Sequence, residues 1–238
     1  MLRPEHDIAT LTDKLLTMAS VAMGSTNNAI RAIEGRDDEV ARRVEAEDVV
    51  IDELEKELDE LCVNLLSHAP LASDLRRITV AMKITRDLER VGDEATAIAR
   101  RAIDLNREPQ LVPVTEIAKM AEIAIAMLKD ALDSFADRDA LKAREIIPRD
   151  REVDIINKRL GREFRELMEV APGNIGRALN LMAVARRIER IADHATNIAE
   201  EVVYLLDGQD IRHTGQKKRA GKLSPSGTDD GARNTGQE

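Results

Sequence analysis

Two stretches of this chain repeat one another. Residues 75–99 align with residues 175–199 without a gap and are identical at ten of twenty-five positions, far more than composition alone would produce. The identical pairs are Arg77/Arg177, Met82/Met182, Arg86/Arg186, Glu89/Glu189, Arg90/Arg190, Asp93/Asp193, Ala95/Ala195, Thr96/Thr196, Ile98/Ile198 and Ala99/Ala199. One structural unit therefore occurs twice, and the fold must accommodate two related halves.

Both halves have a helical pattern. Apolar residues recur at steps of three and four, and aromatic residues make up only 1% of the chain, so the core must be aliphatic and strand-forming residues are few. The preceding segments correspond at an offset of 102 residues through Asp37/Asp139, Val44/Ile146, Asp48/Asp150, Asp52/Asp154, Leu58/Leu160 and Leu65/Leu167. The sequence predicts an all-α protein of two tandem three-helix bundles related by an internal repeat, antiparallel because the connections are short.

Glycine, proline and aspartate divide the helical pattern into six pieces. The first predicted helix covers about 6–33 and stops at Gly35, the second runs from Asp37 to before Pro70, and the third covers 72–106. The fourth begins at Thr115, the fifth begins at Asp139 and is kinked at Pro148, and the sixth covers 174–206. We predict one three-helix repeat at 5–107, a second at 113–206 and a disordered polar tail at 207–238, where apolar residues are too few to offset the entropy of ordering.

Several classes of protein are excluded by composition. The net charge of −9 and the scarcity of aromatic residues argue against nucleic-acid binding, which needs a basic surface or stacking platforms. The first residues show no signal-peptide pattern, and no apolar run is long enough to span a membrane. Cys62 lies in a helical pattern and is expected to be a buried, inert thiol. The tail segment GQKKRAGK has the wrong spacing and context for a phosphate-binding loop.

Each repeat retains two acidic pairs at a spacing of i, i+4. These are Asp48/Asp52 with Glu89/Asp93 in the first repeat, and Asp150/Asp154 with Glu189/Asp193 in the second. The spacing places both carboxylates of a pair on one helix face. Glu89 and Glu189 also lie beside apolar stripes and among small residues, where clustered carboxylates repel one another unless a cation compensates.

Two interpretations of the acidic residues remain open at this point. Oxygen-rich clusters on facing helices can hold metal ions such as iron, manganese, magnesium or zinc. Alternatively, neighbouring residues such as Arg90 and Arg190 form salt bridges with the acids, and the protein is a metal-free helical scaffold. A bundle metalloenzyme of the ferritin type is disfavoured, since no histidine has a glutamate three residues before it. His194 is expected to be hydrogen-bonded or to face a partner rather than to bind metal.

The segments SDLRRITVAMKITRDLERVGDEATAIA and NIGRALNLMAVARRIERIADHATNIAEE resemble the PhoU family of phosphate-transport regulators. The resemblance covers residues 5–206 and implies two three-helix bundles whose acidic motifs bind metal in some members. Carried over residue by residue, it implies metal ligands at Asp48, Asp52, Glu89, Asp93, Asp150, Asp154, Glu189 and Asp193. The first repeat has Ala97 where the second has Asn197, so unequal occupancy of the two sites is expected.

The same resemblance implies a regulatory function rather than an enzymatic one. It implies a cytoplasmic homodimer that links the ATPase of a phosphate ABC transporter to a sensor histidine kinase and meets the membrane only through these partners. Such a protein restrains phosphate uptake and phosphate-starvation signalling when phosphate is plentiful.

Overall fold

The computed structural model describes residues 4–67, 71–208 and 210–211. Within these residues the chain forms seven α-helices and two single 3₁₀ turns, with no strand. The helices are α1 (Pro4–Glu34), α2 (Asp38–Leu66), α3 (Ala72–Asn106), α4 (Thr115–Asp137), α5 (Ala140–Ile146), α6 (Asp150–Val170) and α7 (Ile175–Asp207). The predicted all-α fold is confirmed, whereas most of the predicted polar tail lies outside the described residues.

The turn between the first two helices of each repeat is built in the same way. Arg36 and Arg138 both adopt the left-handed conformation, with φ of 54° and 57°, and each precedes an aspartate that caps the next helix. The carboxylate of Asp37 accepts hydrogen bonds from the backbone N–H groups of Glu39 and Val40, which stabilises the start of α2. The left-handed residue is therefore Arg36 and not the expected Gly35.

Arg36 also fastens this turn to the end of α3. Its guanidinium donates hydrogen bonds to the carbonyl oxygens of Leu105 at 3.3 Å and Asn106 at 2.8 Å, and to that of Glu108. These acceptors are among the carbonyl groups that a helix leaves unpaired at its C-terminus. The bonds offset the cost of the left-handed conformation, about 1 kcal/mol for a residue other than glycine.

Pro148 interrupts the helical pattern at the position predicted from the sequence. A single 3₁₀ turn at Ile147–Arg149 separates α5 from α6, so the predicted fifth helix is divided in two. Proline has no N–H to donate and its ring clashes with the preceding turn, which accounts for the break.

Helices α3 and α7 form the centre of the molecule. Helix α3 packs against α1 and α2, α7 packs against α4 and α6, and α3 and α7 pack against each other. We call the contact between α3 and α7 the seam. Two ion pairs cross it: His194 Nδ1 lies 2.8 Å from Asp87 Oδ1, and the Arg187 guanidinium lies 2.8 Å from Glu94 Oε2. These pairs show that the two helices are antiparallel. Positions 87 and 94 correspond to 187 and 194, so an approximate twofold axis between the helices exchanges these two pairs.

The core is continuous and largely aliphatic. Buried Leu, Ile, Val and Ala residues from both repeats form one cluster, and both phenylalanines of the chain, Phe135 and Phe164, are buried in it. Cys62 is fully buried, and burial raises the pKa of its thiol to about 11, in agreement with the inert thiol expected from the sequence. No helix among the described residues is long and apolar enough to cross a membrane.

Candidate metal centres

The acidic residues of the first repeat come together where α2 packs on α3. We call Asp48, Asp52, Glu89 and Asp93 the first acidic cluster. The charges of Asp52 and Asp93 act on Asp48, and those of Asp93 and Asp52 act on Glu89, so the four carboxylates lie within electrostatic reach of one another. The two i, i+4 pairs thus face each other across the helix interface, as the repeat pattern predicts.

The side chains of α2 pack closely over a glycine of α3 beside this cluster. A Cβ atom built on Gly92 would lie 2.6 Å from Ile51 Cδ1 and 3.6 Å from Asp48 Oδ1. Glycine at position 92 therefore leaves room for the Ile51 side chain of α2 beside the carboxylates. In the second repeat, Val153 corresponds to Ile51 and Ala192 to Gly92. Compared with the first repeat, the side chain on α6 is therefore one methyl group smaller and the side chain on α7 one methyl group larger.

Burial and mutual repulsion disfavour negative charge in the first acidic cluster. Burial, followed by the charge of Asp93, raises the pKa of Glu89, and the Arg90 guanidinium partly opposes this. Burial also raises the pKa of Asp48, and the charges of Asp52 and Asp93 add to the rise. A hydrogen bond from the side chain of Thr96 lowers this pKa in part but does not cancel the rise. A cation placed among these groups would relieve the repulsion.

Arg90 already supplies a cation to the first cluster. Its guanidinium lies 3.4 Å from a carboxylate oxygen of Glu89 and 3.4 Å from one of Asp93. The matching Arg190 behaves differently, since it points across the seam to Glu94 at 3.2 Å. Within the described residues, no Lys or Arg lies at ion-pair distance from Glu189 or Asp193.

The second acidic cluster consists of Asp150, Asp154, Glu189 and Asp193, between α6 and α7. Burial raises the pKa of Asp193 to about 6, helped by the charges of Asp150, Glu189 and Asp154 and opposed by His194. All four predicted residues of the second repeat are therefore brought together. The Lys158 ammonium group lies 2.9 Å from Asp154 and supplies positive charge to this cluster.

The sequence interpretation missed one pair of positions beside the clusters. Glu55 adds a fifth acid next to Glu89, whereas the corresponding Asn157 donates a hydrogen bond to Glu189 at 2.7 Å. Extending the 102-residue offset along α2 and α6 would have found both residues. The two sites therefore differ in charge as well as in their cationic neighbours.

The expected role of Asn197 is not supported by its position. Its amide lies 3.4 Å from Asp87 across the seam, so Asn197 does not explain unequal metal occupancy in the way the sequence suggested. His194 is paired with Asp87 as well, which agrees with the expectation of a hydrogen-bonded histidine. The two clusters do differ in their arginines, since Arg90 contacts the first cluster whereas Arg190 contacts Glu94 across the seam.

The two clusters contain the ligand types that a metal ion needs, but their side chains are not arranged around one ion. Carboxylate oxygens are the ligands that hard divalent cations prefer, and Thr196 Oγ1, on α7 one turn after Asp193, is buried without a hydrogen-bond partner in the described structure. Yet among the described residues no three of the candidate acids are placed to hold one ion together. Occupancy of either cluster would therefore require its side chains to rotate toward a shared point.

The raised pKa of Asp193 predicts how metal-free stability depends on pH. With a folded pKa of about 6 against an ordinary 3.8, Asp193 costs the fold nothing below about pH 4, and the cost grows between about pH 4 and 6 and is fully present above about pH 6. Asp193→Asn should therefore stabilise the chelated protein by about 1 kcal/mol at pH 7.5, a value reduced for the exposed part of the side chain, and by almost nothing at pH 4.

Urea unfolding with chelator at both pH values measures this difference. Asp93→Asn is the matched control, and because it removes an ion pair with Arg90 it should give no gain in stability. A stabilisation by Asp193→Asn that is equal at both pH values would contradict the assignment.

Comparison with known proteins gives matches over both repeats. The family model described as "PhoU domain" matches residues 15–102 and again 117–202. A phosphate-specific transport system accessory protein PhoU homolog from Pseudomonas putida is 39% identical over 211 residues, covering 88% of this chain and 82% of the relative. A homolog of the same name from Aquifex aeolicus is 39% identical over 208 residues, covering 87% and 94%.

Solved structures give the same result for the fold. The crystal structure of PhoU from Pseudomonas aeruginosa superposes with a TM-score of 0.84 at 37% identity, covering 87% of this chain and 100% of that one. The phosphate transport system regulatory protein PhoU from Streptococcus pneumoniae superposes with a TM-score of 0.82 at 27% identity, covering 88% and 99%.

Proposed function

The chain belongs to the PhoU family, and from that premise we propose that it restrains phosphate uptake as an accessory protein of a phosphate-specific transport system. The observation that carries the proposal is the match of the PhoU domain to each of the two repeats, at residues 15–102 and 117–202. The relatives are named as accessory proteins of phosphate-specific transport, and we assign this chain a regulatory and not a catalytic role.

Two partners follow from this role. We propose that the chain contacts the ATPase of the phosphate ABC transporter and the sensor histidine kinase, in the cytoplasm, and reduces both activities when phosphate is plentiful. A rigid helical body suits such an adaptor, because partners can read a fixed pattern of side chains on its long surfaces. The names of the relatives support an association with a phosphate transport system, and the two specific partners are our proposal.

A homodimer is part of the same proposal. Large apolar side chains remain exposed at repeat-matched positions on the two central helices, with Leu75 at 42% and Ile175 at 43% exposure. Two thin bundles cannot bury every apolar stripe, and a second copy would cover the remainder. Val49, Val50 and Ile155 are further exposed apolar residues, and they adjoin the acidic clusters.

Metal ions complete the proposal through the two acidic clusters. Asp48, Asp52, Glu89 and Asp93 would hold one centre, and Asp150, Asp154, Glu189 and Asp193 the other. A divalent cation there would supply positive charge between α2 and α3, and between α6 and α7, and so strengthen both helix contacts. Iron, manganese, magnesium and zinc all remain candidates.

A metal-free scaffold is the second candidate function. The contacts of Arg90 with Glu89 and Asp93 favour it, since an arginine can neutralise part of the first cluster without a metal. In that case the regulatory role rests on partner binding alone, and the acidic clusters contribute to the surface charge. Metal analysis of the purified chain distinguishes the two candidates.

The regulatory proposal is tested in the native host. Deleting the gene should raise phosphate uptake and the output of a phosphate-starvation reporter in phosphate-replete medium by roughly tenfold, and a plasmid copy should restore repression. Affinity purification of the tagged chain from the same cells should recover the transporter ATPase or the sensor kinase. Unchanged uptake and reporter output in the deletion strain would rule out the role.

A further inference from the structure

A groove opens at one end of the second repeat, far from the seam between α3 and α7. It has a volume of about 470 Å³ and is lined by residues of the segment before α4, the start of α4 and the C-terminal half of α6. Its lining contains seven apolar residues, three glutamates and no basic residue. Val170 at its edge is 80% exposed, so apolar surface faces solvent here.

One ion pair fixes the register of two helices in each repeat. In the first repeat, Lys14 on α1 lies 2.5 Å from Glu57 on α2. In the second, Glu116 on α4 pairs with Arg159 on α6, at positions that correspond through the 102-residue offset but with the charges exchanged. The two helix pairs are therefore aligned in the same way, and their ends can be compared directly.

The comparison shows that the second repeat lacks part of a helix. Through the offset, the start of α4 at Thr115 corresponds to position 13, whereas α1 begins at Pro4, nine residues earlier. Nine residues are about 2.5 helical turns, or roughly 13 Å. The last turns of α6, up to Val170, consequently extend past the start of α4, and α7 is the helix that packs on α6 from the other side.

The first turns of α1, which have no counterpart in α4, bury apolar side chains at the end of the first repeat that corresponds to the groove. Ile8 and Leu11, three residues apart on these turns, are both buried against the first repeat. In the second repeat the segment before α4 passes by instead, and the groove lies beside Val112 and Pro113. The first repeat thus shows which shape completes this end of the bundle: a short amphipathic helix with apolar residues three or four positions apart.

A larger core residue compensates for part of the missing helix. Phe164 stands on α6 where the first repeat has Cys62 on α2, and it is buried. The phenyl ring fills the interior below the groove and keeps the bundle intact without a covering helix. The groove above it is therefore a feature of the folded chain and does not signal an incomplete core.

Charge indicates which kind of helix the groove accepts. Glu116, Glu163 and Glu166 line it, and Glu163 and Glu166 are exposed. Arg159 pairs with Glu116 and also, at 3.8 Å, with Glu163, so the three carboxylates of the lining face one guanidinium and a surplus of negative charge remains. A helix that lays an apolar face into the groove would place its flanking residues against these carboxylates, so basic flanks are complementary.

We propose that this groove is the docking site for a basic amphipathic helix of a partner protein, which takes the place that the first turns of α1 take in the first repeat. The proposal concerns an interaction surface and does not depend on the metal clusters or on the regulatory role.

A labelled synthetic peptide tests the groove by fluorescence anisotropy. The peptide is about 18 residues long, roughly five turns, with leucines at i, i+3 and i+7 and lysines on both flanks. Its twin has glutamates in place of the lysines. The full chain should bind the lysine peptide with a Kd of about 10 μM and the glutamate peptide at least tenfold more weakly.

Variants of exposed residues locate the binding. Val170→Asp and the double variant Glu163→Lys/Glu166→Lys should each weaken binding by roughly tenfold or more, and neither replaces a core residue. Val63→Asp is the matched control, since Val63 is 60% exposed on α2 of the first repeat, and it should leave binding unchanged.

Three results would overturn the proposal. The first is the absence of binding at millimolar peptide, or equal binding by the groove variants. The second is a change from dimer to monomer caused by Val170→Asp in sedimentation, which would make the groove an interface between copies. The third is binding that occurs only after residues 212–238 are deleted, which would make the chain's own basic tail the occupant.

Discussion

Replacing Glu189 by glutamine is expected to lower the affinity of the second acidic cluster for Mn²⁺ by tenfold or more. Loss of a residue that only orients a metal ligand commonly costs about 10- to 100-fold in affinity, and loss of a ligand should cost at least as much. The substitution keeps the shape of the side chain and its acceptor for Asn157, so the helices should remain intact. Calorimetric titration with Mn²⁺ and metal analysis after dialysis measure the effect.

Glu89→Gln is the matched variant, and it should affect the first cluster alone. The first cluster should also lose metal at a lower chelator concentration, because Arg90 competes for Glu89 and Asp93 while Arg190 is held by Glu94. Arg90→Ala should reduce this difference between the clusters. If the purified chain takes up no stoichiometric iron, manganese, magnesium or zinc, the acidic clusters are not metal centres and the scaffold interpretation stands.

Gly92→Ala is expected to destabilise the first repeat by about 1 kcal/mol, the net of an overpacking cost and the gain from replacing a helical glycine. The new methyl carbon would lie 2.6 Å from Ile51 Cδ1, and overpacking of this kind costs about 1–3 kcal/mol. This cost exceeds the 0.5–1 kcal/mol that alanine normally gains over glycine inside a helix. Gly24→Ala is the control within the same repeat, because its methyl group would meet nothing within 4 Å and should give the ordinary gain.

A second substitution tests the cause of this loss. Ile51→Val removes the Cδ1 atom and reproduces the Val153 and Ala192 pair of the second repeat. The double variant Ile51→Val/Gly92→Ala should therefore recover at least half of the stability lost on introducing alanine alone. Urea unfolding gives the free energies of unfolding, and losses that simply add would show that Ile51 and Gly92 are not coupled.

Residues that act locally allowed the fold to be predicted from the sequence. Pro148 divides the fifth predicted helix, and Asp37 caps α2, because each effect depends on a few neighbouring residues. The left-handed Arg36 escaped prediction because its stabilisation comes from carbonyl groups about seventy residues away at the end of α3. Glycine preference at helix ends is a local rule, and a tertiary contact overrode it here.

The candidate sites likewise have features that the sequence predicted and features that it could not predict. The i, i+4 spacing placed Glu89 with Asp93 and Glu189 with Asp193 correctly, because spacing fixes the face of a helix. It could not show that Arg90 enters its cluster while Arg190 turns to Glu94, since both arginines occupy the same repeat position. Their directions depend on the partner across the seam, and position 94 is glutamate where position 194 is histidine.

The exchanged ion pairs across α3 and α7 also determine which halves can assemble. If two copies of the first repeat met along this seam, Asp87 of each would face Glu94 of the other, and like charges would oppose each other. Two copies of the second repeat would set Arg187 against His194, with no acid at either position. Only the pairing found here matches a base or imidazole with a carboxylate at both positions. The charges on the seam therefore favour the pairing of each repeat with the other repeat over its pairing with a second copy of itself.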